Sequence, residues 1–501
     1  MKIIIPASGT GERFKAAGYK ETKPLIPVTS DKRILDYVID AFSIEDEYFF
    51  ITSPETYDEV QKFLETKSIK FKHFLYTGAK LGPVGAIMGV QDELKKYITD
   101  NDEVIVSYCD YGIQWDYNDF KEFIEETKAD AAIPCYKGYH PHLIDENNVY
   151  ACTKTMSSTD FNVYRVFEKY KSKDRFNENW SAGLYYFKTL NLMSYAFNEM
   201  MRCGETLNSE YYVSLAYNYI CDRYNVQSYN KIEKFYQFGT PKDFEYVKAK
   251  LNNLDVLNEE SDITNTVILS AGKGERFLNL NYQQPKPFLP LKGKTLVQNI
   301  AETFKSVKTN IRFVGSNAHD LFWNTIPYGD IKLIESNKIG AAYSYKRACS
   351  DLEGETLVVP CDLVAKHITK EFLKLKETSD IIIFTAKATD YNYNNQKSFA
   401  WVQGENNEVL DITIKERKPK IAEEETVLIG SFWVKENKVL LSNIEEIFKK
   451  EFTVNSEYYL DNAFKNMLEN GLNVKYLVID NYYSLGTPDE YNENKYFLEI
   501  K

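Results

Sequence analysis

One block of motifs occurs twice in this chain, in the same order. Gly9-Thr10-Gly11-Glu12-Arg13-Phe14 returns as Gly272-Lys273-Gly274-Glu275-Arg276-Phe277. Lys23-Pro24-Leu25-Ile26-Pro27 returns as Lys286-Pro287-Phe288-Leu289-Pro290, displaced by the same distance. Further along, Cys109-Asp110 pairs with Cys361-Asp362 and Glu168-Lys169 with Glu416-Arg417. Asn208-Ser209-Glu210-Tyr211-Tyr212 pairs with the same five residues at 455–459, and Gly239-Thr240-Pro241 with Gly486-Thr487-Pro488. The displacement shrinks toward the carboxyl end, so the second copy has shorter loops. A period of about 250 residues is the size of a whole domain and far too long for a solenoid repeat. The repeat therefore predicts two domains, residues 1–250 and 266–501, joined by a polar, acidic linker at 251–265.

Within each copy, short β-branched runs alternate with amphipathic stretches. Ile3-Ile4-Ile5, Tyr48 to Ile51, Val104-Ile105-Val106 and Ala131-Ala132-Ile133 read as buried strands. Ile34 to Phe42, Thr56 to Leu64 and Tyr117 to Phe123 read as helices. Strands alternating with helices predict a mostly parallel sheet covered on both sides. An antiparallel portion is expected around Tyr164 to Phe167 and Leu184 to Phe187.

Composition removes several classes of function. The chain has 501 residues, 61 Lys+Arg against 73 Asp+Glu and a net charge of −12. Without a cluster of cations it is not expected to bind nucleic acid, because duplex binding needs massed Lys and Arg against the phosphates. No apolar run is long enough to span a membrane, and the amino terminus does not read as a signal peptide, so a cytoplasmic protein without a membrane partner is expected. The seven cysteines include no Cys-x-x-Cys pair and read as free thiols. His140-Pro141-His142 reads as a loop beside proline rather than a zinc site. The 38 tyrosines suggest compositional bias and partly buried polar rims.

The chemistry lies in the repeated motifs. A strand followed by a glycine loop places bare backbone N–H groups at the carboxyl edge of a parallel sheet, where α/β proteins bind nucleotides. Arginine in that loop can fork onto phosphate oxygens. A dinucleotide fingerprint would need a third glycine where Phe14 and Phe277 stand, and a Walker loop would need Gly-Lys-Ser/Thr. Lys23 and Lys286 each follow their loop at a fixed distance and precede a proline that fixes the backbone.

This set of motifs resembles the nucleoside-triphosphate transferases of the sugar-nucleotide pyrophosphorylase superfamily. It is most similar to a subgroup from bacterial capsule and surface-glycan clusters, on account of Ile5-Pro6, Ala17-Gly18-Tyr19 and Asp110 to Trp115-Asp116. The resemblance covers essentially the whole chain, twice. It implies two tandem Rossmann-like (GT-A type) α/β nucleotidyltransferase domains, each a mostly parallel mixed sheet with helices on both faces, together a pseudo-dimer within one chain. By the same resemblance Gly9, Thr10 and Gly11, with Gly272, Lys273 and Gly274, form the triphosphate loops. Arg13, Lys23, Arg276 and Lys286 act on the phosphates, and the segments at Gly82 and Gly340 lie beside the base. Asp110 and Asp362 hold Mg²⁺. Glu168 and Lys169, then Glu416 and Arg417, hold the phosphorylated acceptor. Many members carry a second metal-binding aspartate where Gln237 and Ser484 stand here. Glu210 and Glu457 are alternatives by position, and a helix-opening cap is an equal reading of either.

The expected reaction is transfer of a nucleoside monophosphate from a nucleoside triphosphate to a sugar phosphate or related phosphorylated metabolite, with pyrophosphate leaving. The attacking phosphate is already ionised near neutral pH, so alignment and charge neutralisation suffice. Two other readings stay open: a glycosyltransferase, which normally needs an Asp-x-Asp motif, and one catalytic half beside a non-catalytic nucleotide-binding half. The first copy, with its Trp115-Asp116 segment and Glu168-Lys169, is the more typical catalyst.

Overall fold

The computed structural model describes residues 1–157, 159–252, 256–335, 339–388, 392–393, 396–416, 425–454 and 456–499. The chain divides into two compact units, Met1–Asn252 and Asn253–Lys501. Each is an α/β structure built on one large mixed sheet.

The strands of the first unit are β1 (Lys2–Ala7), β2 (Glu47–Thr52), β3 (Lys70–Leu75), β4 (Val104–Ser107), β5 (Tyr111–Gln114) and β6 (Ala131–Tyr136). They continue as β7 (Tyr150–Thr155), β8 (Val163–Tyr170), β9 (Asn179–Ser181), β10 (Leu184–Phe187), β11 (Val226–Ile232) and β12 (Lys234–Gln237). The large sheet runs β3-β2-β1-β4-β10-β6-β9-β7-β8, with β11 on β6. Why β1 sits at its heart follows from its sequence. Ile3 and Ile5 point into one apolar cluster with Tyr48, Phe50 and Ile105. Ile4 points into the opposite cluster with Phe49, Val104 and Ile133. The strand alternates its side chains between two faces, so an all-apolar strand requires cover on both.

Strands in the second unit are β13 (Ser261–Leu269), β14 (Pro290–Leu291), β15 (Lys294–Thr295), β16 (Val307–Ser316), β17 (Asp330–Ile334) and β18 (Thr356–Pro360). Then come β19 (Leu363–Ala365), β20 (Ile381–Lys387), β21 (Ala400–Glu405), β22 (Glu408–Ile414), β23 (Thr426–Val434), β24 (Val474–Val478) and β25 (Tyr482–Ser484). Its large sheet runs β17-β16-β13-β18-β23-β20-β24-β22-β21. Val267 and Val358 face one cluster, Ile268 and Leu357 the other. Strand β13 starts at Ser261, so part of the stretch expected as linker is sheet, and the helix Pro241–Asn252 occupies its first residues.

The sheets are less parallel than the alternating pattern predicts. Among the described residues, parallel pairing is confined to β3-β2-β1-β4 and β6-β11 in the first unit, and to β17-β16-β13-β18 and β20-β24 in the second. The β10 and β23 strands enter antiparallel beside β4 and β18. The reversal at β10 falls on the antiparallel portion expected at Leu184 to Phe187, whereas at β23 a buried apolar run reads the same in either direction and hides it.

Several sequence features turn out to be structural. Trp115 donates from its indole nitrogen to the Ala41 carbonyl at 2.8 Å, and Asp116 caps the helix Tyr117–Glu126 through the Asn118 and Asp119 amides. His140 is 1% exposed, and burial pulls its imidazole down to about 3, so it is a neutral core residue. Many of the tyrosines are core rather than rim, among them Tyr48, Tyr111, Tyr186 and Tyr217.

Candidate active site

In the first unit the loop Ser8–Gly11 leaves β1 at the carboxyl end of its parallel strands, and Asp110 follows β4 on the same edge. Gly11 adopts φ 66°, and a Cβ there would lie 3.2 Å from the Cβ of Lys23. Gly274 repeats this at φ 65°, 3.1 Å from the Cβ of Lys286. The second loop glycine therefore serves both a left-handed turn and a close approach of the lysine.

Each lysine is then held at two points. The Lys23 ammonium donates to the Asp110 carboxylate at 2.7 Å and to the Gly239 carbonyl at 3.3 Å. Lys286 pairs with Asp362 and donates to the Gly486 carbonyl at 3.3 Å. Burial pulls the Lys286 ammonium down, but the neighbouring Asp362 and Cys361 outweigh it and hold it above the ordinary lysine range. A small antiparallel clasp assembles these partners. Strand β5, just after Asp110, pairs with β12, just before Gly239, and β19 pairs with β25 in the second unit.

The phenylalanine that breaks the dinucleotide fingerprint has a place here. Phe14 is 2% exposed, and its ring lies 5.2 Å beneath the Lys23 ammonium. Phe277 sits 5.6 Å from the Lys286 ammonium in the same way. An aromatic face favours a cation, so the ring steadies the lysine from the protein side. The Gly-Thr-Pro motif supplies the carbonyl described above and, through its threonine, the cap of the last helix. The Thr487 hydroxyl accepts from the Glu490 amide at 3.2 Å, while Glu490 accepts from the Thr487 amide at 3.0 Å. Thr487→Ala is expected to lose about 1 kcal/mol of stability, with Thr487→Ser close to neutral, in chemical denaturation.

A cavity of about 700 Å³ opens over the first loop. It is lined by the loop from Ser8 to Arg13, by Lys23, Lys80, Gly82, Tyr108 and Asp110, and by Glu210, Tyr212 and Gly239. Arg13 and Gly9 are exposed there. Lys80, whose ammonium reaches the Thr10 hydroxyl at 3.4 Å, adds a cation that the motif reading missed; only its place just before the Leu81-Gly82-Pro83 turn could have signalled it. Tyr108 was missed as well, since a tyrosine at a strand end carries no pattern.

The segments expected beside the base are fixed by backbone bonds to the Asn-Ser-Glu-Tyr-Tyr motif. The Tyr211 amide donates to the Leu81 carbonyl at 2.8 Å, and the Tyr458 amide to the Ile339 carbonyl at 2.7 Å. Gly82 (φ 80°) and Gly340 (φ 114°) allow that approach. Glu210 lines the cavity, and Glu457 accepts from the Tyr459 hydroxyl.

Neither Glu168 nor Lys169 lines the cavity, although Tyr212, which does, carries the ring that Lys169 faces. The Lys169 ammonium lies 5.5 Å from the Tyr212 ring. Glu168 accepts from the Ser214 hydroxyl, and burial raises its carboxyl above the ordinary range against that bond. In the second unit Glu416 is exposed, and Arg417 lies outside the described residues. Gln237 and Ser484 sit in the clasp strands, opposite Tyr111 and Leu363. Cys109, half-buried, and Cys361, buried, lie beside the aspartates, and desolvation pushes both thiols up to about 12 and makes them poor nucleophiles.

Among the described residues no three His, Cys, Asp or Glu side chains cluster as a self-sufficient metal site. One aspartate per unit just beyond the carboxyl end of the parallel strands is a donor set that fits Mg²⁺, which keeps water and takes most of its remaining ligands from substrate phosphates. No helix among the described residues is long and apolar enough to cross a membrane.

Comparison with known proteins agrees with this architecture. A family model for nucleotidyl transferases matches residues 2–252, and one for the MobA-like NTP transferase domain matches residues 266–394. The bifunctional protein GlmU of Methanocaldococcus jannaschii is 28% identical over 240 residues, covering 46% of this chain and 54% of that protein. The GlmU of Methanococcus aeolicus is 25% identical over 238 residues, with the same coverage. The chain thus spans about half the length of the curated relatives it matches. Among solved structures, a nucleoside-diphosphate-sugar pyrophosphorylase from Vibrio cholerae is 21% identical, with a TM-score of 0.39 over 47% of this chain and 100% of that one. The inositol-1-phosphate CTP transferase from T. maritima is 18% identical, with a TM-score of 0.36 over 47% of this chain and 96% of that one. Two nucleotidyltransferase domains thus stand in tandem, the first matched over just over half of the whole sequence, and the chain belongs to the nucleotidyl transferase family as a nucleotidyltransferase enzyme.

Proposed function

We propose that at least the first unit transfers a nucleoside monophosphate from a nucleoside triphosphate to a sugar phosphate or related phosphorylated metabolite, releasing pyrophosphate. The observation that carries this reading is the Lys23–Asp110 pair, at 2.7 Å, on the floor of a cavity walled by the glycine loop. In the reaction an ionised phosphate oxygen of the acceptor attacks the α-phosphorus. The bond from that phosphorus to the bridging oxygen breaks, and pyrophosphate leaves with the electron pair.

The chain contributes positioning and charge. Loop amides from Gly9 to Gly11 and the Arg13 guanidinium face the triphosphate, and Lys23 neutralises charge that grows on the leaving phosphates. Glu168 and Lys169 orient the acceptor, glutamate toward hydroxyls and lysine toward phosphate. Asp110 would hold Mg²⁺, which neutralises phosphate charge when bound; Asp362 would do so in the second unit. The reading extends to a GT-A type description of both units and to a cytoplasmic role in making precursors of surface polysaccharides.

The test is pyrophosphate release across the four ribonucleoside triphosphates and a panel of sugar phosphates and phosphorylated polyols, with Mg²⁺ and with EDTA. One triphosphate–acceptor combination is expected to turn over, with EDTA lowering the rate at least a hundredfold, on the order expected for loss of a phosphate clamp. Nucleotide binding without turnover on any acceptor would overturn the reading. Sugar transfer from a nucleotide sugar would replace it with glycosyl transfer.

A further inference from the structure

The two units do not place the acceptor carboxylate on the same element. In the first unit Glu168 and Lys169 lie near the end of β8, and the Lys169 backbone is left-handed at φ 52°. The residue at the end of the corresponding hairpin in the second unit with this conformation is Lys415, at φ 51°. Its ammonium lies 3.9 Å from the ring of Tyr459, as that of Lys169 lies over Tyr212. Tyr212 and Tyr459 close the same repeated motif. A lysine in a strained backbone state, facing the same tyrosine of the repeat, fixes the structural match two residues earlier than the Glu416-Arg417 pair.

On that match the residue before the lysine changes from Glu168 to Ile414, which is 6% exposed and packs into the core. The strand has lost its carboxylate. Opposite it, two residues beyond the motif tyrosine, the first unit has Ser214, whose hydroxyl donates to Glu168. The second unit has Asp461 at that place, in the first turn of the helix Leu460–Glu469. A carboxylate lost from the strand therefore reappears on the facing helix, where a hydroxyl had stood. Asp461, Glu457 and Arg276 all act electrostatically on Lys415, so the group lies within the second unit's phosphate-facing cluster. Burial raises the Asp461 carboxyl to about 6, opposed by Lys415, and lowers the Lys415 ammonium.

We propose that the second unit binds a phosphorylated, hydroxyl-bearing acceptor through Lys415 and Asp461, lysine on the phosphate and aspartate on the hydroxyls, with Glu416 taking no part. This rests on the reading of the units as transferases with an acceptor subsite, and it assigns that subsite to residues the motif alignment does not indicate. Because an aspartate on a helix approaches from the opposite side to a glutamate on a strand, the two units recognise hydroxyls in different positions.

The test needs no turnover. Pyridoxal 5′-phosphate carries a phosphate and an aldehyde, and the aldehyde condenses with a lysine amine, losing water. Borohydride then reduces the imine to a stable amine that mass spectrometry locates. On the full chain, Lys415 is expected to be labelled and to be protected by glucose 1-phosphate and, more weakly, by inorganic phosphate. In Asp461→Asn the glucose 1-phosphate concentration giving half protection is expected to rise about tenfold, as for a lost charged hydrogen bond, with protection by inorganic phosphate unchanged. Glu416→Gln is expected to leave both unchanged. Absence of labelling or protection at Lys415, or a shift caused by Glu416→Gln and not by Asp461→Asn, overturns the proposal. An unaltered unfolding midpoint in Asp461→Asn separates a lost contact from a damaged fold. Protection at Lys415 alongside a failed pyrophosphate screen would sink the transferase reading and leave this binding site standing.

Discussion

Lys23→Ala is expected to reduce kcat/KM for pyrophosphate release by the first unit about 10²- to 10³-fold, the usual cost of removing one preorganised charge from a developing anion. Two effects combine. The leaving phosphates lose a cation that is already oriented by Asp110, the Gly239 carbonyl and the Phe14 ring. Asp110 meanwhile loses its partner and repels the incoming triphosphate. Lys23→Arg is not expected to rescue, because a forked guanidinium cannot occupy the two-point seat and the ring face of a compact ammonium. Lys286→Ala in the second unit is the matched experiment. The two variants, measured with each nucleotide and acceptor, apportion turnover between the units. Equal activity in wild type and in the double variant would refute the role of both lysines.

The largest effect on stability is expected from Gly340→Ala. Gly340 has φ 114° and ψ 172°, a region that essentially only glycine enters, at a cost of about 1–3 kcal/mol for other residues. A Cβ there would also lie 2.4 Å from the carbonyl oxygen and 2.7 Å from the amide nitrogen of Tyr458, both backbone atoms that cannot swing aside. Denaturation should show a loss of at least about 3 kcal/mol for the second unit, the sum of strain and overpacking. Gly82→Ala meets the Glu210 Cβ at 2.9 Å and should be milder. Gly272→Ala is the control: nothing lies within 4 Å of its Cβ, and a change within about 0.5 kcal/mol is expected. A Gly340→Ala protein as stable as this control would show that the Tyr458 contact is not maintained in solution.

Much of this was legible in the residues. The repeat announced two like units, and the structure pairs Lys23 with Asp110 and Lys286 with Asp362, contacts that the motifs did not foretell. What stayed hidden has physical causes. Strand direction leaves no trace in an apolar run, so β23 reversed unseen, whereas the antiparallel β10 falls where an antiparallel portion was expected. Trp115-Asp116 counted toward the family resemblance, and in the structure a packed indole and a helix cap account for it. The displacement of Lys415 relative to Glu416 escaped because letters were matched, whereas a left-handed backbone and a facing tyrosine identify the position. Lys80 and Tyr108 reach the cavity only because distant loops fold over it.

The two-point seat of the lysine also bears on how these units acquire function in time. The bond from Lys23 to the Gly239 carbonyl spans 216 residues, and that from Lys286 to the Gly486 carbonyl spans 200. Both close only when β12 or β25, among the last strands of its unit, has paired. Contacts of such long range form late and slowly. A ribosome-bound or partly unfolded unit could thus display its glycine loop and aspartate while the lysine still lacked its seat. Competence would then arrive in one step with the final strand, and the first unit could reach it while the second was still being synthesised.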